Sequence, residues 1–202
     1  MHIVSAITGA SGALYGLRLC EELLVAGHSL DFLISRSGFS VLKTEAGLDW
    51  HGTEEDVSRR FRGHFGVQAS QARYYEENDL LAPIASGSAA PDAMVVCPCS
   101  MGTLARIACG NSGNLLERCA DVMLKERRPL VLVPRETPLS EIHLENMLKL
   151  ARMGARIVPA MPAFYHGPRS VDDLVNFVVG KAMDALGIAH RLYRAWGVPE
   201  QP

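Results

Sequence analysis

The chain has 202 residues, of which 48% are hydrophobic, and 20 Lys and Arg against 22 Asp and Glu give a net charge of −2. This length and composition suffice to bury the core of one domain, and no second domain is needed. The balanced charge excludes the dense cationic surface that binds nucleic acids. Because no apolar run reaches the roughly 18 to 20 residues of a membrane span, we expect neither nucleic acid nor membrane as a partner.

The first residues and the cysteines predict a cytoplasmic protein without a metal site. The opening stretch MHIV lacks the basic head and cleavage site of a signal peptide. There are five cysteines: Cys20, Cys97, Cys99, Cys109 and Cys119. Cys97 and Cys99 enclose one residue, whereas paired zinc ligands usually enclose about two to four. We therefore expect reduced, buried thiols.

Apolar runs alternate with helical periods along the chain. Strands are predicted at residues 3–7, 30–35, 93–97, 130–133 and 155–158, and helices are predicted to begin near Ala13, Leu115, Pro138 and Val171. This alternation predicts an α/β fold with a doubly wound parallel sheet in a single domain. Residues 39–91 show no clear period, and we expect a helical excursion there, followed by a loop at the functional site.

The stretch that begins at Thr137 carries the signals of a helix start. Thr137 is a candidate N-cap, and Pro138 suits the first helical position. Four apolar residues follow at helical spacing, and we expect them to form the buried face of this helix: Leu144, Met147, Leu148 and Ala151.

The turn after the first strand, ITGASGALYG, looks like a phosphate-binding loop. Its glycines, Gly9, Gly12 and Gly16, fit neither G-x-G-x-x-G nor G-x-x-x-x-G-K-[ST]. Gly9 and Gly12 permit close backbone approach, and the free N–H groups of the next helix suit a phosphate or the polar edge of a ring. Ligands of open α/β sheets lie outside the carboxyl ends of strands. That rule selects the loops at residues 8–12, 35–37, 98–103 and 134–136.

The second predicted strand argues against a nicotinamide cofactor. An NAD ribose is usually bound by Asp or Glu about 20 residues past the turn, but this strand ends at Ser35 and Arg36, and Asp31 lies near its start. The T-G-x-x-x-G-x-G pattern of short-chain dehydrogenases would need glycine at Ala13. A nicotinamide oxidoreductase is therefore the weaker alternative.

The strand end at Ser35 and the PCSMGTLA turn suit a ligand with one phosphate and a polar heterocycle, such as FMN. Ser100 and Thr103 stand at the start of a predicted helix. Ordinary helix capping also explains both residues. Capping and phosphate binding are compatible, so both interpretations stay open.

Longer stretches resemble the UbiX family of flavin prenyltransferases. They are TGASGALYGLRL, ASGS, CPCSMGTLA, ERCADVMLKERRPLVLVPRETPLSEIHLENMLKLARMGA and PAFYHGPRSVDDLVNFVV, between residues 3 and 188. The resemblance implies a flavodoxin-like Rossmann fold over residues 1–188 with non-covalent FMN, and a C-terminal tail at 189–202. It implies transfer of a dimethylallyl group from dimethylallyl monophosphate to N5 and C6 of reduced FMN. It also implies that the prenylated FMN serves a UbiD-type decarboxylase, and that the protein is a homododecamer with sites between subunits and no metal requirement.

The same resemblance assigns the site residues. Residues of four loops would bind FMN: Gly9, Ala10, Ser11, Ser35, Ser100, Met101, Gly102, Thr103 and Arg135. The donor phosphate would be bound by side chains of which some come from a neighbouring subunit: Arg118, Lys125, Arg135, Tyr165 and Lys181. Ser11 near N5, Lys125 at the phosphate and Glu136 as a proton carrier would act in catalysis. Lys181 stands where the family often has Arg, which keeps the charge but loses the planar fork.

These residue types suit the reaction. Breaking the allylic carbon–oxygen bond leaves a phosphate, which fixed cations and a hydroxyl stabilise. It also leaves a cationic prenyl fragment, which needs a dry apolar chamber. The candidate walls of that chamber are Leu80, Ala85, Ala89 and Met101.

Plainer interpretations stand beside this one. Lys125, Arg127 and Arg128 also fit a solvated helix end, Tyr165 and His166 also fit loop packing, and His143 fits an ordinary helix residue. An FMN-dependent cysteine decarboxylase would need a catalytic His and an Asn-containing motif, which the matching loops lack. A non-catalytic flavin carrier is opposed by Glu136 beside Arg135, because a carboxylate near an anion suits proton transfer better than storage.

Overall fold

Six strands make one parallel sheet in the computed structural model, which describes residues 1–197. The strands are β1 His2–Ile7, β2 Ser29–Ile34, β3 Ala72–Tyr74, β4 Ala93–Cys99, β5 Leu130–Pro134 and β6 Arg156–Ile157. The helices are α1 Ala13–Val25, α2 Arg36–Ala46, α3 Glu54–Phe65, α4 Met101–Ala108, α5 Leu115–Lys125, α6 Glu141–Arg152 and α7 Val171–Leu186. Two short 3₁₀ turns, Pro83–Ala85 and Gly87–Ala89, precede β4.

The strand order across the sheet is β3-β2-β1-β4-β5-β6, and every neighbouring pair is parallel. Both faces of the sheet are covered, which explains why β1 is a nearly continuous apolar run interrupted by Ser5. Ile3 and Ile7 face one core with α1, α3 and α7, whereas Val4 and Ala6 face the other with α4 and α5. The predicted doubly wound α/β sheet is confirmed. Its order reverses between β1 and β4, where ligands of this architecture bind.

The prediction for residues 39–91 is incomplete, because this segment contains a sixth strand. β3 pairs with β2, with Leu30 opposite Ala72. It has three residues and lies at the sheet edge, so it is too short to show a period. The helical part is confirmed: α3 begins at a capping box formed by Thr53 and Asp56.

The helix predicted from Pro138 begins later, and its predicted buried face is wrong. α6 starts at Glu141 with Ser140 as its N-cap, and His143 closes a capping box, as an ordinary helix residue does. Leu150 is buried, whereas Leu144 and Leu148 are 52% and 50% exposed. Three of the four apolar residues predicted to be buried, Leu144, Leu148 and Ala151, are therefore exposed on the outer face of the helix, and Met147 is half-buried.

The cysteines are mostly buried, as expected, with one exception. Burial raises the pKa of Cys20, Cys99 and Cys119 to about 12, but Cys109 is exposed, so the prediction of a buried thiol is wrong there. No group of three or more metal-ligating side chains occurs within residues 1–197. No helix in that range has both the length and the apolar character that crossing a membrane requires.

Candidate active site

Thr8 joins the first two predicted loops at the reversal in strand order. Its buried hydroxyl donates to the carbonyl of Pro98 at 2.8 Å and accepts the N–H of Ser100 at 2.7 Å. The backbone adds a second link, from the N–H of Thr8 to the same carbonyl at 3.2 Å. The loops 8–12 and 98–103 therefore lie side by side at the carboxyl ends of β1 and β4.

Two serines cap helices at this end of the sheet. Ser35 Oγ accepts the N–H of Gly38 at 3.1 Å and caps α2. Ser100 Oγ accepts the N–H of Thr103 at 3.2 Å and donates to the hydroxyl of Thr103 at 3.0 Å. The capping interpretation of Ser100 and Thr103 is confirmed. It also places the amino ends of α2 and α4, which favour anions, beside the glycine turn.

The glycine turn packs tightly against its neighbours. A Cβ on Gly9 would lie 2.4 Å from the Cβ of Ser37, so this glycine lets the turn touch the first turn of α2. Gly12 has a φ of 117°, a left-handed conformation that side chains disfavour. The turn is therefore fixed by its own packing, with Ala10 buried and Ser11 exposed at its tip.

Glu45, which sequence reasoning missed, occupies the amino end of α1. Its carboxylate accepts the N–H groups of Gly12 and Ala13, both at 2.8 Å. Burial alone would raise the pKa of Glu45, but the hydrogen bonds from Ser11, Gly12 and Ala13 outweigh it, so the pKa lies below its usual value. Glu45 ends a different helix and belongs to no motif, so only the tertiary structure reveals this contact.

Arg135 connects the loop after β5 to the glycine turn. Its Nε donates to the carbonyl of Ser11 at 3.0 Å, and its positive charge contributes to the lowered pKa of Glu45. Glu136 follows, half-buried, and accepts the N–H of Thr137 at 3.0 Å. The structure thus brings Ser11, Arg135 and Glu136 to one edge of the sheet, as predicted, and adds Glu45 to them.

Arg118 and Lys125 form a second group, along α5. Arg118 Nε donates to the carbonyl of Ala85 at 2.9 Å, within the ASGS stretch. Lys125 forms an ion pair with Glu126, and a Cβ on Gly87 would lie 2.6 Å from Lys125 Nζ. The turns at 83–89 therefore contact both side chains, Arg118 by a hydrogen bond and Lys125 by close packing over Gly87.

Tyr165 and Lys181 form a third group, around the ring of Phe177. The rings of Tyr165 and Phe177 are 5.8 Å apart, and Lys181 Nζ lies 5.7 Å from the centre of the Phe177 ring. The loop-packing alternative for Tyr165 and His166 is confirmed, since both rings pack on Phe177, with His166 stacked at 5.2 Å. Trp196, in the predicted tail, meets Tyr165 edge-on at 5.2 Å, a contact that sequence reasoning missed.

The candidate walls of the apolar chamber are not equally placed. Leu80 is 48% exposed and Ala85 is half-buried. Met101, by contrast, is 6% exposed and packs into the core between the sheet and α4 and α5. Met101 therefore exposes little of its side chain at this end of the sheet, and its place in the wall of a dry chamber stays a prediction.

Glu117 is linked to the first turn of α4 through Arg106, and its removal tests how much this link stabilises the fold. This carboxylate is buried; it pairs with Arg106, whose guanidinium also donates to Thr103 at 3.2 Å, and accepts the N–H of Gly113 at 3.0 Å. We expect Glu117→Ala to lower the free energy of unfolding by about 1 to 3 kcal/mol, because it removes a buried carboxylate together with the hydrogen bonds that this carboxylate accepts. Urea denaturation measures this. Glu55→Ala, at an exposed position of α3, is the control and should change little.

Comparison with known proteins finds relatives of this chain over nearly its whole length. The family model named Flavoprotein matches residues 1–183. The flavin prenyltransferase UbiX of Pseudomonas aeruginosa is 52% identical over 97% of this chain and 94% of its own length. The structure of AnUbiX (PadA1) in complex with FMN and dimethylallyl pyrophosphate is 40% identical, covers 98% of both chains and has a TM-score of 0.86. A dodecameric FMN-dependent UbiX-like decarboxylase from Escherichia coli O157:H7, also 40% identical, has a TM-score of 0.85.

Proposed function

Because the chain belongs to the UbiX family of flavin prenyltransferases, we infer that it binds FMN and transfers a dimethylallyl group to it from a dimethylallyl phosphate ester. The observation that carries this inference is the meeting of the glycine turn with Arg135 at the reversal in strand order. A cation, hydroxyl groups and helix amino ends converge there, which is the donor set that a flavin phosphate and ring require. The nicotinamide alternative is not supported.

The residues present fit FMN. Ser35 and Ser100 hold the first turns of α2 and α4 at the sheet edge, and Gly102 is exposed in the first turn of α4. We propose that Gly9, Ala10 and Ser11 face the flavin, and that Ser35, residues 100–103 and Arg135 hold the remainder. When bound in its reduced form, FMN supplies the nucleophilic ring positions, N5 and C6.

The side chains of this chain supply the charge and proton chemistry. We propose that Arg118, Lys125, Arg135, Tyr165 and Lys181 bind the donor phosphate and stabilise the negative charge that collects as the allylic carbon–oxygen bond breaks. Glu136 adjoins Arg135 and carries a proton at its carboxylate. Ser11 is placed by the Arg135 contact with its carbonyl, and Glu45 holds the same turn from its other side.

The division of the predicted phosphate ligands into separate groups supports an oligomer. In one chain, Arg118 and Lys125 lie along α5, whereas Tyr165 and Lys181 surround Phe177. α6 also presents Ile142, 67% exposed, beside Leu144 and Leu148. We propose a homododecamer in which neighbouring subunits complete each site. A UbiD-type decarboxylase as recipient of the product and a cytoplasmic location also remain proposals.

Incubation with reduced FMN and a donor tests the function. We expect the flavin to gain the mass of one dimethylallyl unit with dimethylallyl monophosphate, and the same assay with the diphosphate determines the donor preference. The protein should also bind FMN in preference to NAD, because its second strand ends in Ser35 and Arg36 rather than an acidic residue. FMN binding without any adduct would indicate a flavin carrier. Binding NAD as tightly as FMN would contradict the cofactor assignment.

Lys181 tests the donor site apart from the flavin site. We expect Lys181→Ala to weaken donor binding by about 1.5 to 3 kcal/mol, the usual contribution of a hydrogen bond to a charged group, with FMN affinity unchanged. Lys181→Arg should bind donor as well or better, because a guanidinium engages two phosphate oxygens. Titration of FMN-loaded protein with donor measures both. Lys43→Ala, an exposed lysine paired with Asp49, is the control. Equal donor binding by wild type and both Lys181 variants would remove Lys181 from the site.

A further inference from the structure

The segment after α7 folds back onto that helix, and Gly180 makes this possible. A Cβ on Gly180 would lie 2.6 Å from two ring carbons of Tyr193 and 2.7 Å from a ring carbon of His190. Contacts this short do not occur, so any side chain at position 180 would push these rings away. The absence of a side chain at Gly180 therefore lets residues 190–193 pack directly on α7.

Asp184, one turn along α7, ties the seated segment to Lys181. Its carboxylate accepts hydrogen bonds from the hydroxyl of Tyr193, from Nε2 of His190 at 3.1 Å and from Nζ of Lys181 at 3.4 Å. Burial alone would raise the pKa of Asp184, but these hydrogen bonds outweigh it and the pKa lies below its usual value. The hydrogen bond with Tyr193, more than the contact with Asp184, raises the pKa of Lys181.

Aromatic contacts extend the same segment to Tyr165. The Tyr193 ring lies 4.8 Å from the Phe177 ring, and Lys181 Nζ lies 4.7 Å from the centre of the Tyr193 ring. Farther along, Trp196 meets Tyr165 at 5.2 Å. Residues 190–196 therefore contact both of the residues in this part of the chain that are proposed to bind the donor phosphate. Tyr193 contacts Lys181, and Trp196 contacts Tyr165.

We propose that Asp184 is a positioning residue for donor binding, and that residues 190–196, seated on Gly180, form part of the donor site. The proposal rests on the proposed function, since it takes Lys181 and Tyr165 as phosphate ligands. A lysine is a flexible point charge and loses side-chain entropy when it binds. Asp184 and the Tyr193 ring restrict Lys181 before the donor arrives, while its ammonium, with three donor hydrogens, keeps capacity for phosphate oxygens.

The opposite role for Asp184 is that its carboxylate competes with the donor phosphate for Lys181. The two roles differ in the sign of one effect. If Asp184 positions Lys181, its neutralisation raises the donor KM, whereas if it competes, its neutralisation lowers the donor KM. Tyr193→Phe isolates the same question without a change of charge, because it removes only the hydroxyl that Asp184 accepts and keeps the ring against Phe177 and Lys181.

The experiment measures docking and donor binding separately. Trypsin cleaves after Arg191 and Arg194, so the rate at which it releases the end of the chain reports docking of the segment without any donor. Asp184→Asn, Tyr193→Phe and Gly180→Ala are compared with two controls. Asp172→Asn alters an exposed carboxylate on the same helix, and Gly63→Ala adds a methyl group to a helical glycine whose Cβ would meet nothing within 4 Å.

We expect all three variants to be cleaved faster than wild type and to raise the donor KM by roughly tenfold, with FMN affinity and kcat little changed and both controls like wild type. Asp184→Glu should recover part of the loss. Faster cleavage with an unchanged or lowered donor KM would overturn the positioning role, and unchanged cleavage would overturn the docking. A wild-type protein that binds FMN but forms no adduct would contradict the proposed function instead, and the cleavage rates would still decide whether Asp184 docks the segment.

Discussion

Replacing Glu136 by Gln is expected to slow formation of the prenylated flavin by about 10²- to 10⁴-fold, the usual contribution of a positioned proton carrier. Gln has the same shape and its side-chain oxygen still accepts the N–H of Thr137, now 3.0 Å from Glu136 Oε1. FMN affinity and stability should therefore stay near wild type. The measurement is a single-turnover assay with reduced FMN and donor, followed by the mass of the flavin.

The control for Glu136→Gln is the same change at an exposed glutamate. Glu55→Gln, on α3, neutralises one exposed carboxylate of the helix that packs on the edge strand β3 and should leave turnover unchanged. A Glu136 variant that turns over at the wild-type rate would remove this carboxylate from the mechanism. Glu45, whose carboxylate holds the glycine turn, would then be the next proton carrier to test by the same assay.

The sheet was predictable from the sequence because its strands are covered on both faces. β1, β4 and β5 are nearly continuous apolar runs, and their bounds differ from the prediction by two residues at most. The edge strand β3 was missed because three residues carry no period. The buried face of α6 was predicted wrongly because the prediction assumed that its leucines pack into the core of the same chain. Leu144 and Leu148 instead face outward.

The site was predictable where its residues lie at strand ends, and unpredictable where distant segments meet. Ser11 and Arg135 come together because parallel strands place their carboxyl ends at one edge, a rule that sequence alone can apply. Glu45 reaches the glycine turn from the end of α2, and Trp196 reaches Tyr165 from beyond α7. Neither residue lies in a recognisable motif. Such contacts depend on how helices pack, which periodicity does not determine.

Arg135→Ala is expected to weaken the binding of both FMN and the prenyl donor, because Arg135 is predicted to bind both of them. A charged hydrogen bond lost from each should cost about 1.5 to 3 kcal/mol in FMN binding and a similar amount in donor binding. Catalytic efficiency at low concentrations of both ligands should fall by the product of the two effects. Fluorescence titration with FMN and initial rates at varied donor concentration measure the two losses separately.

Arg128 is the matched control, because it precedes β5 whereas Arg135 follows it. It forms an ion pair with Asp92 at 3.6 Å, at the amino end of the sheet and away from the site, so Arg128→Ala should leave both affinities unchanged. Arg135→Lys should fall between wild type and Arg135→Ala, since it keeps the charge but loses the guanidinium whose Nε reaches the carbonyl of Ser11. If Arg135→Ala weakens only one of the two ligands, then Arg135 belongs to that ligand alone, and the contact with Ser11 serves to shape the turn rather than to join the flavin and donor sites.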